Sequence, residues 1–378
     1  MKILFFSPYF YPYTSGLSTY PLKILSFLAK KNQITILTFL HNNKLASHEK
    51  VGRLNILRLP YWFKISKGFI SPQSFYYFVK ETKKNDLIIL NLPNFEGLSL
   101  AFIGKLLGKK IISIFHCSVY LGDDFVSKII SFFLNVSVFI QFLLSDTVVG
   151  YTDDYVNNLW LGKVFRKKIQ TVLPPVEKLS IDKIKLNKFI KDKNNYLWIG
   201  FAGRIAKEKG IEYLIEAVSN IKAKFQKIEL VFAGPYGKEV AGEDNYYKKI
   251  IRLLKERRIA HHFFGNLKNG ELGAFYKVIN VLILPSINKT EAFGMVQVEA
   301  MLLGTPVVAT NLPGVRIPIK LTKMGITVEP RNSDQLSKAI EEIINNKYKF
   351  VNDKLIANCE KIFDINKTCR FYEKLIVM

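Results

Sequence analysis

Short apolar segments rich in β-branched residues alternate with longer segments of helical period along the whole chain. The clearest in the first half are "KILFFS", "QITILTF" and "DLIILNL", and in the second half "LWIGFAG", "IELVFAG" and "VLILPS". Strands that are apolar throughout need cover on both faces, as in parallel sheets flanked by helices. The pattern therefore predicts an α/β protein built on parallel sheets.

The length of 378 residues suits two such domains. A polar, lysine-rich stretch at residues 177–195 is the expected boundary. We expect one Rossmann-like domain in residues 1–185 and a second in 195–350, with their parallel sheets facing a central cleft. Residues 351–378 are expected to form a C-terminal helix that packs back on the first domain. The other predicted helices cover residues 17–31, 72–84, 95–107, 125–144, 211–225, 246–257, 270–278 and 295–303.

The chain is strongly basic, with 55 Lys and Arg against 31 Asp and Glu and a net charge of +24. Residues 1–193 hold 27 Lys and Arg against 12 Asp and Glu, a net of +15, and the remainder carries +9. Such an excess favours anionic partners, namely nucleic acid, anionic lipid or phosphorylated substrates. It equally fits a lysine-rich chain whose charges are simply solvated.

Cysteine usage and the N-terminal sequence indicate an intracellular protein. Cys117, Cys359 and Cys369 form no C-x-x-C pair and leave one over, so neither a disulfide framework nor a zinc site is expected. The start "MKILFFSPYFYPY" is broken by Pro8 and lacks the long apolar region of a signal peptide. It is predicted to be the first strand of a cytoplasmic protein.

Ligands of open parallel sheets bind beyond the carboxyl ends of the strands, near helix N-termini. After the first strand, Gly16 lets the backbone approach a ligand closely. There is no G-x-G-x-x-G, so a dinucleotide site is not supported. In the second half, Arg204 and Lys209 lie in the loop that follows a strand, and this loop is flanked by Gly203 and Gly210. The two cations can converge on one diphosphate.

Other residues follow neighbouring strands of the second domain. Asn266 and Leu267 come after "HHFFG", where their backbone groups could read the edge of a nucleobase. His261 and His262, the first two residues of that segment, are taken to precede the strand proper, at the opposite end of the sheet, and are interpreted as structural.

Two carboxylates stand in the apolar stretch "TEAFGMVQVEAM", and carboxylates are costly to bury without partners. Glu291 lies in the loop after a buried strand. The unpaired N–H groups around Phe293, Gly294 and Met295 begin a helix and carry partial positive charge. Glu299 is placed about one turn into that helix, where a carboxylate suits the vicinal hydroxyls of a ribose.

These segments together resemble the retaining GT-B glycosyltransferases of family four, the glycosyl transferases group 1. The resemblance rests on "GRIAKEKGIEYLIEAV", "VFAGPYG", "VLILPSINKTEAFGMVQVEAMLLGTPVVAT" and the terminal "EKIFDINKTCRFYEKL". It runs through nearly the whole chain and is strongest over residues 200–310. It implies a GT-B fold and dependence on a sugar nucleotide.

By this resemblance, Arg204 and Lys209 bind the donor diphosphate, Glu291 the transferred sugar and Glu299 the ribose. The N–H of Gly294 would bind phosphate. Arg204, Lys209 and Glu291 are therefore counted as catalytic.

His116 in "IISIFHCSVY" matches the position of a histidine near the reacting sugar and is also counted as catalytic. Two departures from the family stand out. The N-terminal loop has Ser15–Gly16 where adjacent glycines are usual, and "PGVRIPIK" lacks an acidic residue common there.

The implied reaction is retaining, metal-independent transfer from a nucleoside-diphosphate sugar, with no cofactor, to a glycan, polysaccharide or lipid-linked acceptor. No D-x-D metal motif is present, and the pairs Asp123–Asp124 and Asp153–Asp154 are interpreted as helix caps. A sugar-nucleotide epimerase of similar fold is the alternative.

Residues 129–145 contain no charge but include Asn135 and Gln141. As a helix they are about 26 Å long, short of a hydrocarbon core of roughly 30 Å, so a buried or partly membrane-facing helix is expected rather than a spanning one.

Residues 61–84 mix aromatic and basic side chains. We therefore expect a peripheral enzyme at the inner face of the cell membrane, bound to anionic lipid. A nucleic-acid-binding protein is disfavoured because the charges are scattered.

Overall fold

A computed structural model describes residues 1–13, 15–65, 68–120, 124–240 and 242–377. In chain order the strands are β1 (Lys2–Phe6), β2 (Gln33–Phe39), β3 (His48–Val51), β4 (Leu54–Leu59), β5 (Phe63–Ile65), β6 (Gly68–Ile70), β7 (Leu87–Leu92), β8 (Lys110–Phe115), β9 (Thr147–Gly150), β10 (Ile169–Thr171), β11 (Leu197–Ala202), β12 (Ile228–Ala233), β13 (Ala260–Gly265), β14 (Val281–Leu284), β15 (Val307–Thr310) and β16 (Gly325–Val328). The α-helices are α1 (Gly16–Leu28), α2 (Ser74–Lys84), α3 (Gly97–Leu106), α4 (Phe125–Leu144), α5 (Asp153–Asn157), α6 (Trp160–Val164), α7 (Lys183–Lys193), α8 (Ile211–Ile221), α9 (Asp244–Glu256), α10 (Asn269–Val278), α11 (Met295–Leu302), α12 (Ile317–Thr322), α13 (Ser333–Asn345), α14 (Lys347–Phe350), α15 (Asp353–Ile362) and α16 (Ile365–Val377).

The chain divides into two compact units, and the first contains Met1–Pro175 together with Ile365–Met378. The strand order of its main sheet is β10-β9-β8-β7-β1-β2-β4-β3. The edge strand β3 runs antiparallel to β4, and the other neighbours pair in parallel. The central strand β7 is buried along its whole length, as expected of a parallel strand covered on both faces.

The second unit, Val176–Asp364, has the strand order β13-β12-β11-β14-β15-β16, and neighbouring strands among the described residues pair in parallel. Its core joins strand residues such as Phe201 and Leu230 to Ile215 of α8 and Ile340 of α13. Because the strands run parallel, the loops after β11 and β14 leave the sheet at the same edge.

The predicted fold class is confirmed, since each unit is a parallel sheet flanked by helices. Helix α4 has the bounds predicted for it, and the other predicted helices begin and end within a few residues of the observed ones. The structure adds elements that were not predicted, namely β3, β5, β6, β10 and β16 and the helices α5, α6, α7, α12, α13 and α14.

The boundary between the units lies at Pro175 and Val176 rather than inside the lysine-rich stretch 177–195. That stretch is mostly helix α7, which belongs to the second unit. Its one fully buried residue, Phe189, packs on Trp198 and Phe264. Together with the Asp182 cap and the Lys185–Glu271 ion pair, this aromatic anchor stabilises a helix whose composition is typical of a linker.

The C-terminal segment forms two helices rather than one. Helix α15 lies in the second unit and α16 in the first. The hydroxyl groups of Tyr20 on α1 and Tyr372 on α16 are both buried and hydrogen-bonded at 2.7 Å. Within the first unit, Thr368 also donates to the carbonyl oxygen of Leu173 at 2.7 Å.

Close backbone approach at the carboxyl edge of the second sheet requires glycine at position 234. Gly203 N–H donates to Ala233 O, and Gly234 N–H donates to Gly265 O, each at 2.8 Å. Gly234 has φ of +135°, and a Cβ there would overlap the carbonyl group of Gly203. The turn that leads into Arg204 is therefore fixed by glycine at this position.

We expect Gly234→Ala to lower the free energy of unfolding by about 3 kcal/mol, because it combines a disfavoured φ with a backbone clash. The matched control is Gly242→Ala, since Gly242 has φ of +82° and nothing within 4 Å of an added Cβ. That change should cost about 1 kcal/mol. Urea unfolding of both variants measures the difference, and equal losses would show that the close approach is unimportant.

Candidate active site

Adjacent strands β11 and β14 bring Lys209 and Glu291 into contact. Lys209 Nζ donates to Glu291 Oε2 at 2.5 Å, and the two side chains are 17% and 16% exposed. Ser286 Oγ donates to the same carboxylate oxygen at 3.4 Å. Residues 82 positions apart are thus joined in one partly buried ion pair, which is more strongly coupled than an exposed pair.

The two loops that carry this pair are also joined through their backbones. Ile287 N–H donates to Glu208 O at 3.0 Å. Gly210 has φ of +61°, and a Cβ there would meet Ile287 and Pro285 O. Glycine is therefore needed at position 210 for the loops to lie this close, which places Lys209 at the end of the short 3₁₀ helix Lys207–Lys209.

Arg204 lies on the same loop and is exposed, with Nη2 donating to Glu208 Oε1 at 3.0 Å. A second carboxylate, Glu243, accepts from the backbone N–H of Lys207 at 3.1 Å. Burial raises the pKa of Glu243, although the nearby charges of Arg204 and Lys207 act to lower it. The loop thus presents cations among carboxylates that neutralise part of their charge.

The N-terminus of α11 begins directly after Glu291. Gly294 is the N-cap with φ of +75°, and a Cβ there would overlap Leu284 and Gln297. Gln297 Nε2 donates to Phe293 O and to Val315 O, each at 2.9 Å, which holds this turn in place. The first N–H groups of the helix carry partial positive charge suited to an anionic group. Phe293 itself is buried, and Met295 is half-buried as the first helical residue.

Glu299 is the fifth residue of α11, so it lies in the second turn rather than the first. The hydroxyl group of Tyr276 on α10 donates to Glu299 Oε2 at 2.9 Å. Burial, and then the charge of Glu299, raise the pKa of Tyr276 well above its ordinary value. Tyr276 is therefore a fixed donor that orients this carboxylate. Sequence reasoning missed it because an isolated tyrosine in an apolar helix is typical of a core residue.

Asn266 and Leu267 follow β13 at the same edge of the second sheet, with Asn266 exposed and Leu267 half-buried. One correction concerns the neighbouring histidines. His261 and His262 lie within β13 rather than before it, because the strand begins at Ala260. They do lie near its amino end, away from Asn266. His261 Nδ1 hydrogen-bonds with Ile259 O at 2.9 Å.

In the first unit, His116 follows β8 and is buried with both ring nitrogens bonded. Nε2 meets Asn91 Oδ1 at 2.5 Å, and Nδ1 meets the hydroxyl group of Tyr151. Asn91 Nδ2 donates to Ser7 Oγ at 3.0 Å and to Leu17 O at 2.9 Å, so Asn91 Oδ1 is the acceptor. His116 is then the Nε2–H tautomer, with Nδ1 accepting from Tyr151.

Burial lowers the pKa of His116 to about 3, so the imidazole is neutral at physiological pH. A group in this state orients its neighbours and does not exchange protons near pH 7. Gly16 is the exposed first residue of α1, and the carbonyl oxygen of its neighbour Leu17 accepts from the same Asn91 that bonds to His116. Contacts of His116 and Gly16 with substrate stay predictions.

The aspartate pairs differ in their roles. Asp124 caps α4 by accepting from Ser127 N–H at 2.9 Å, as predicted, whereas Asp123 lies outside the described residues. Thr152, not Asp153, is the N-cap of α5, and Asp153 pairs with Arg166 at 3.0 Å. Among the residues described, no three His, Cys, Asp or Glu side chains are grouped to hold a metal ion.

The neutral state of His116 has a consequence for stability in acid. In the unfolded chain a histidine takes up a proton below about pH 6.5, whereas folded His116 does so only near pH 3. The free energy of unfolding therefore falls as pH drops from about 6.5 towards 3, by up to about 1.4 kcal/mol per pH unit from this group.

Urea unfolding between pH 7 and pH 4 tests this expectation. His116→Gln should remove that part of the slope, while His48→Gln, a change at an exposed position on β3, should retain it. Parallel curves for wild type and His116→Gln would contradict the assignment.

Comparison with known proteins finds a family match for the part of the chain that carries these features. Residues 182–361 match the family described as glycosyl transferases group 1. An uncharacterized glycosyltransferase of Methanocaldococcus jannaschii is 32% identical over 164 residues, which are 43% of this chain and 40% of that protein. The capsular polysaccharide biosynthesis glycosyltransferase CapM of Staphylococcus aureus is 30% identical over 170 residues, 45% of this chain and 42% of CapM. Each alignment spans about two-fifths of the relative.

Among solved structures, HepE of Anabaena in complex with UDP-glucose has a TM-score of 0.79 and covers 100% of both chains, at 17% identity. A likeness at that identity establishes the fold. Residues 182–361 are thus similar to the glycosyl transferases group 1, and the two α/β units have the GT-B fold.

Proposed function

We propose that the chain transfers a sugar from a nucleoside-diphosphate sugar to an acceptor hydroxyl group, with retention of anomeric configuration and without a metal ion. The carrying observation is the Lys209–Glu291 pair, held beside the N-terminus of α11 at the carboxyl edge of the second sheet. That HepE was solved with UDP-glucose supports a nucleotide-sugar donor for a chain of the same fold.

The leaving group in this reaction is a nucleoside diphosphate, which gains negative charge as the anomeric C–O bond breaks. Lys209 has three N–H donors, of which one is given to Glu291, so two can bind diphosphate oxygens. Arg204 adds a planar guanidinium on the same loop, and the N–H groups of Gly294 and Met295 add partial charge. Such preorganised donors stabilise charge that develops in the transition state and supply what a metal would otherwise do.

The remaining predicted residues bind the neutral parts of the donor. Glu291 has two carboxylate oxygens, so while Lys209 holds one, the carboxylate can still accept from sugar hydroxyls. Glu299, oriented by Tyr276, suits the ribose hydroxyls. The backbone of Asn266 and Leu267 suits the edge of the base.

In transfer with retention, the acceptor oxygen bonds to the anomeric carbon on the face that the diphosphate leaves, and the proton of the acceptor hydroxyl group passes to the departing diphosphate oxygen.

The acceptor is proposed to be a glycan, polysaccharide or lipid-linked sugar, bound by the first unit near Gly16 and His116. CapM acts in capsular polysaccharide biosynthesis by its name, which supports that class.

We further propose that the enzyme works as a peripheral protein at the inner face of the cell membrane. Support comes from α4, which is the one helix among the described residues long and apolar enough to cross a membrane, and from exposed aromatic residues Trp62 and Tyr76 in the 61–84 segment. Ser66 and Lys67 of that segment lie outside the described residues.

A donor screen tests the function directly. The purified chain is incubated with a panel of nucleoside-diphosphate sugars, with and without a lipid-linked or oligosaccharide acceptor, and release of nucleoside diphosphate is measured. Acceptor-dependent release with a new glycosidic product is expected. Conversion of the donor sugar without acceptor would instead establish the epimerase alternative.

Substitution of the cations tests the leaving-group assignment. Arg204→Ala or Lys209→Ala should lower kcat by about 10²–10³, the loss typical of removing one preorganised donor. Lys207→Ala is the matched control, since Lys207 is exposed on the same 3₁₀ helix and its side chain is not assigned to the site. Transfer at the normal rate by Lys209→Ala would falsify the diphosphate assignment.

Removal of the Tyr276 hydroxyl group tests how Glu299 is oriented. Tyr276→Phe should raise KM for the donor about tenfold with little change in kcat, because a hydrogen bond to a charged group is lost away from the reacting bond. The effect should vanish with a donor whose ribose lacks its hydroxyl groups.

The control for this change is Tyr246→Phe, which removes another buried hydroxyl group that donates to a glutamate, Glu212. Tyr246→Phe should leave KM unchanged. An equal effect of Tyr276→Phe on the deoxyribose donor would show that Tyr276 acts on folding and not on the ribose contact.

A further inference from the structure

Helix α4 presents large apolar side chains to solvent on one face. Phe125, Phe132 and Phe133 are 77%, 64% and 58% exposed, and Ile129 and Val136 of the same face are also exposed. With Val126, these side chains recur at spacings of three, four and seven residues, so they line one side of the helix. We call these six residues the α4 apolar face.

The opposite side of α4 is buried and partly polar. Gln141 Nε2 donates to Asn94 O at 2.8 Å, and Ser137 Oγ donates to the same carbonyl oxygen at 3.3 Å. Val138 and Phe142 complete the buried side. A helix on a water-facing surface has the reverse arrangement, with polar residues outside. The pattern of α4 is therefore suited to a surface that is itself apolar.

Neighbouring elements extend this surface. Phe139 of α4 stacks on Trp160 of α6, with ring centroids 5.7 Å apart, and Trp160 and Val164 are exposed. Helix α3 packs against α4 and exposes Phe102 and Leu106. Exposed apolar side chains are thus present on both of these elements that contact α4.

Lysines border this surface. Lys128 lies within α4 and Lys163 within α6, and both are exposed. Lys168 donates to the carbonyl oxygens of Leu143 and Ser145 at 2.7 and 2.9 Å, at the C-terminal end of α4. Long cationic side chains beside aromatic ones are typical of helices at a membrane interface, where the amine reaches the headgroups.

We propose that the α4 apolar face docks the first unit on an anionic lipid bilayer, with α4 lying in the plane of the interface. This inference deepens the proposed membrane association by naming its surface. An in-plane helix fits better than a spanning one, because Ser137 and Gln141 fix the buried side of α4 to its own unit.

The charge of the first unit favours lipid over a second copy of the chain as the occupant. Met1–Pro175 and Ile365–Met378 hold 24 Lys and Arg against 10 Asp and Glu, a net of +14. Two such units brought face to face repel, whereas anionic headgroups attract them, by about 1 kcal/mol for each basic residue near the surface.

Vesicle flotation tests the assignment. The full chain is floated with vesicles of phosphatidylcholine mixed with phosphatidylglycerol, and with phosphatidylcholine alone. Wild type should float with the anionic vesicles and less so at high salt. Phe132→Ser combined with Phe133→Ser should lower the bound-to-free ratio at least about tenfold, since two aromatic side chains no longer enter the interface.

A matched control comes from α7, a lysine-rich helix of the second unit with exposed Ile184 and Ile190. Ile184→Ser combined with Ile190→Ser should float as wild type does. Flotation of the Phe132/Phe133 variant at the wild-type level would overturn the assignment of the α4 apolar face as the docking surface, but not membrane association itself. Failure of the wild type to float would overturn both.

Two further measurements separate other outcomes. Light scattering that shows a wild-type dimer lost in the Phe132/Phe133 variant, without vesicle binding, would assign the face to a second copy and overturn the proposal. Release of nucleoside diphosphate with a soluble acceptor should be the same in wild type and variant. Loss of that activity in both would count against the proposed reaction, independently of the flotation result.

Discussion

Parallel pairing of the strands in the second unit determines where the residues proposed to bind the donor lie. The loops after β11, β13 and β14 all leave the sheet at one edge, and α11 points its N-terminus towards that edge. Residues far apart in the chain are thereby gathered without any of them having to be buried at high cost. The glycines at 210, 234 and 294 serve this arrangement, because each permits a backbone approach that a Cβ would block.

Within that arrangement, Lys209 and Glu291 satisfy each other electrostatically. Either charge alone in a mostly buried position would carry a desolvation cost with little to offset it. As a pair they are stable in place, and each retains hydrogen-bonding capacity for a ligand. The apolar context of "TEAFGMVQVEAM" is thus compatible with two carboxylates, since Glu291 is neutralised by a lysine and Glu299 is held by a tyrosine.

Much of this was predictable from the sequence, for physical reasons that differ between elements. Fully buried strands such as β7 and the long helix α4 can be predicted from their apolar composition. The order of such strands and helices along the chain then indicates the edge of the sheet at which ligand-binding loops lie. Polar β3, "HEKV", and half-exposed β16, "GITV", gave no such signal. Helix α7 was interpreted as part of a linker because Phe189 is its only fully buried residue.

The partners of single polar residues were the least predictable part of the site. Tyr276 and Asn91 lie inside apolar elements, and their roles depend on contacts with residues distant in the chain. The resemblance to the glycosyltransferase family predicted that His116 lies near the reacting sugar. Its pairing with Tyr151 and Asn91, and the burial that keeps it neutral, depend on tertiary packing that no local pattern encodes.

The buried contact between Tyr20 and Tyr372 makes the first unit discontinuous in sequence, with the second unit inserted into it. During synthesis, α1 therefore leaves the ribosome hundreds of residues before its partner helix α16 does. The second unit, continuous in the chain, can complete its core first. We therefore expect Tyr20 to stay uncovered in the growing chain until α16 has been made.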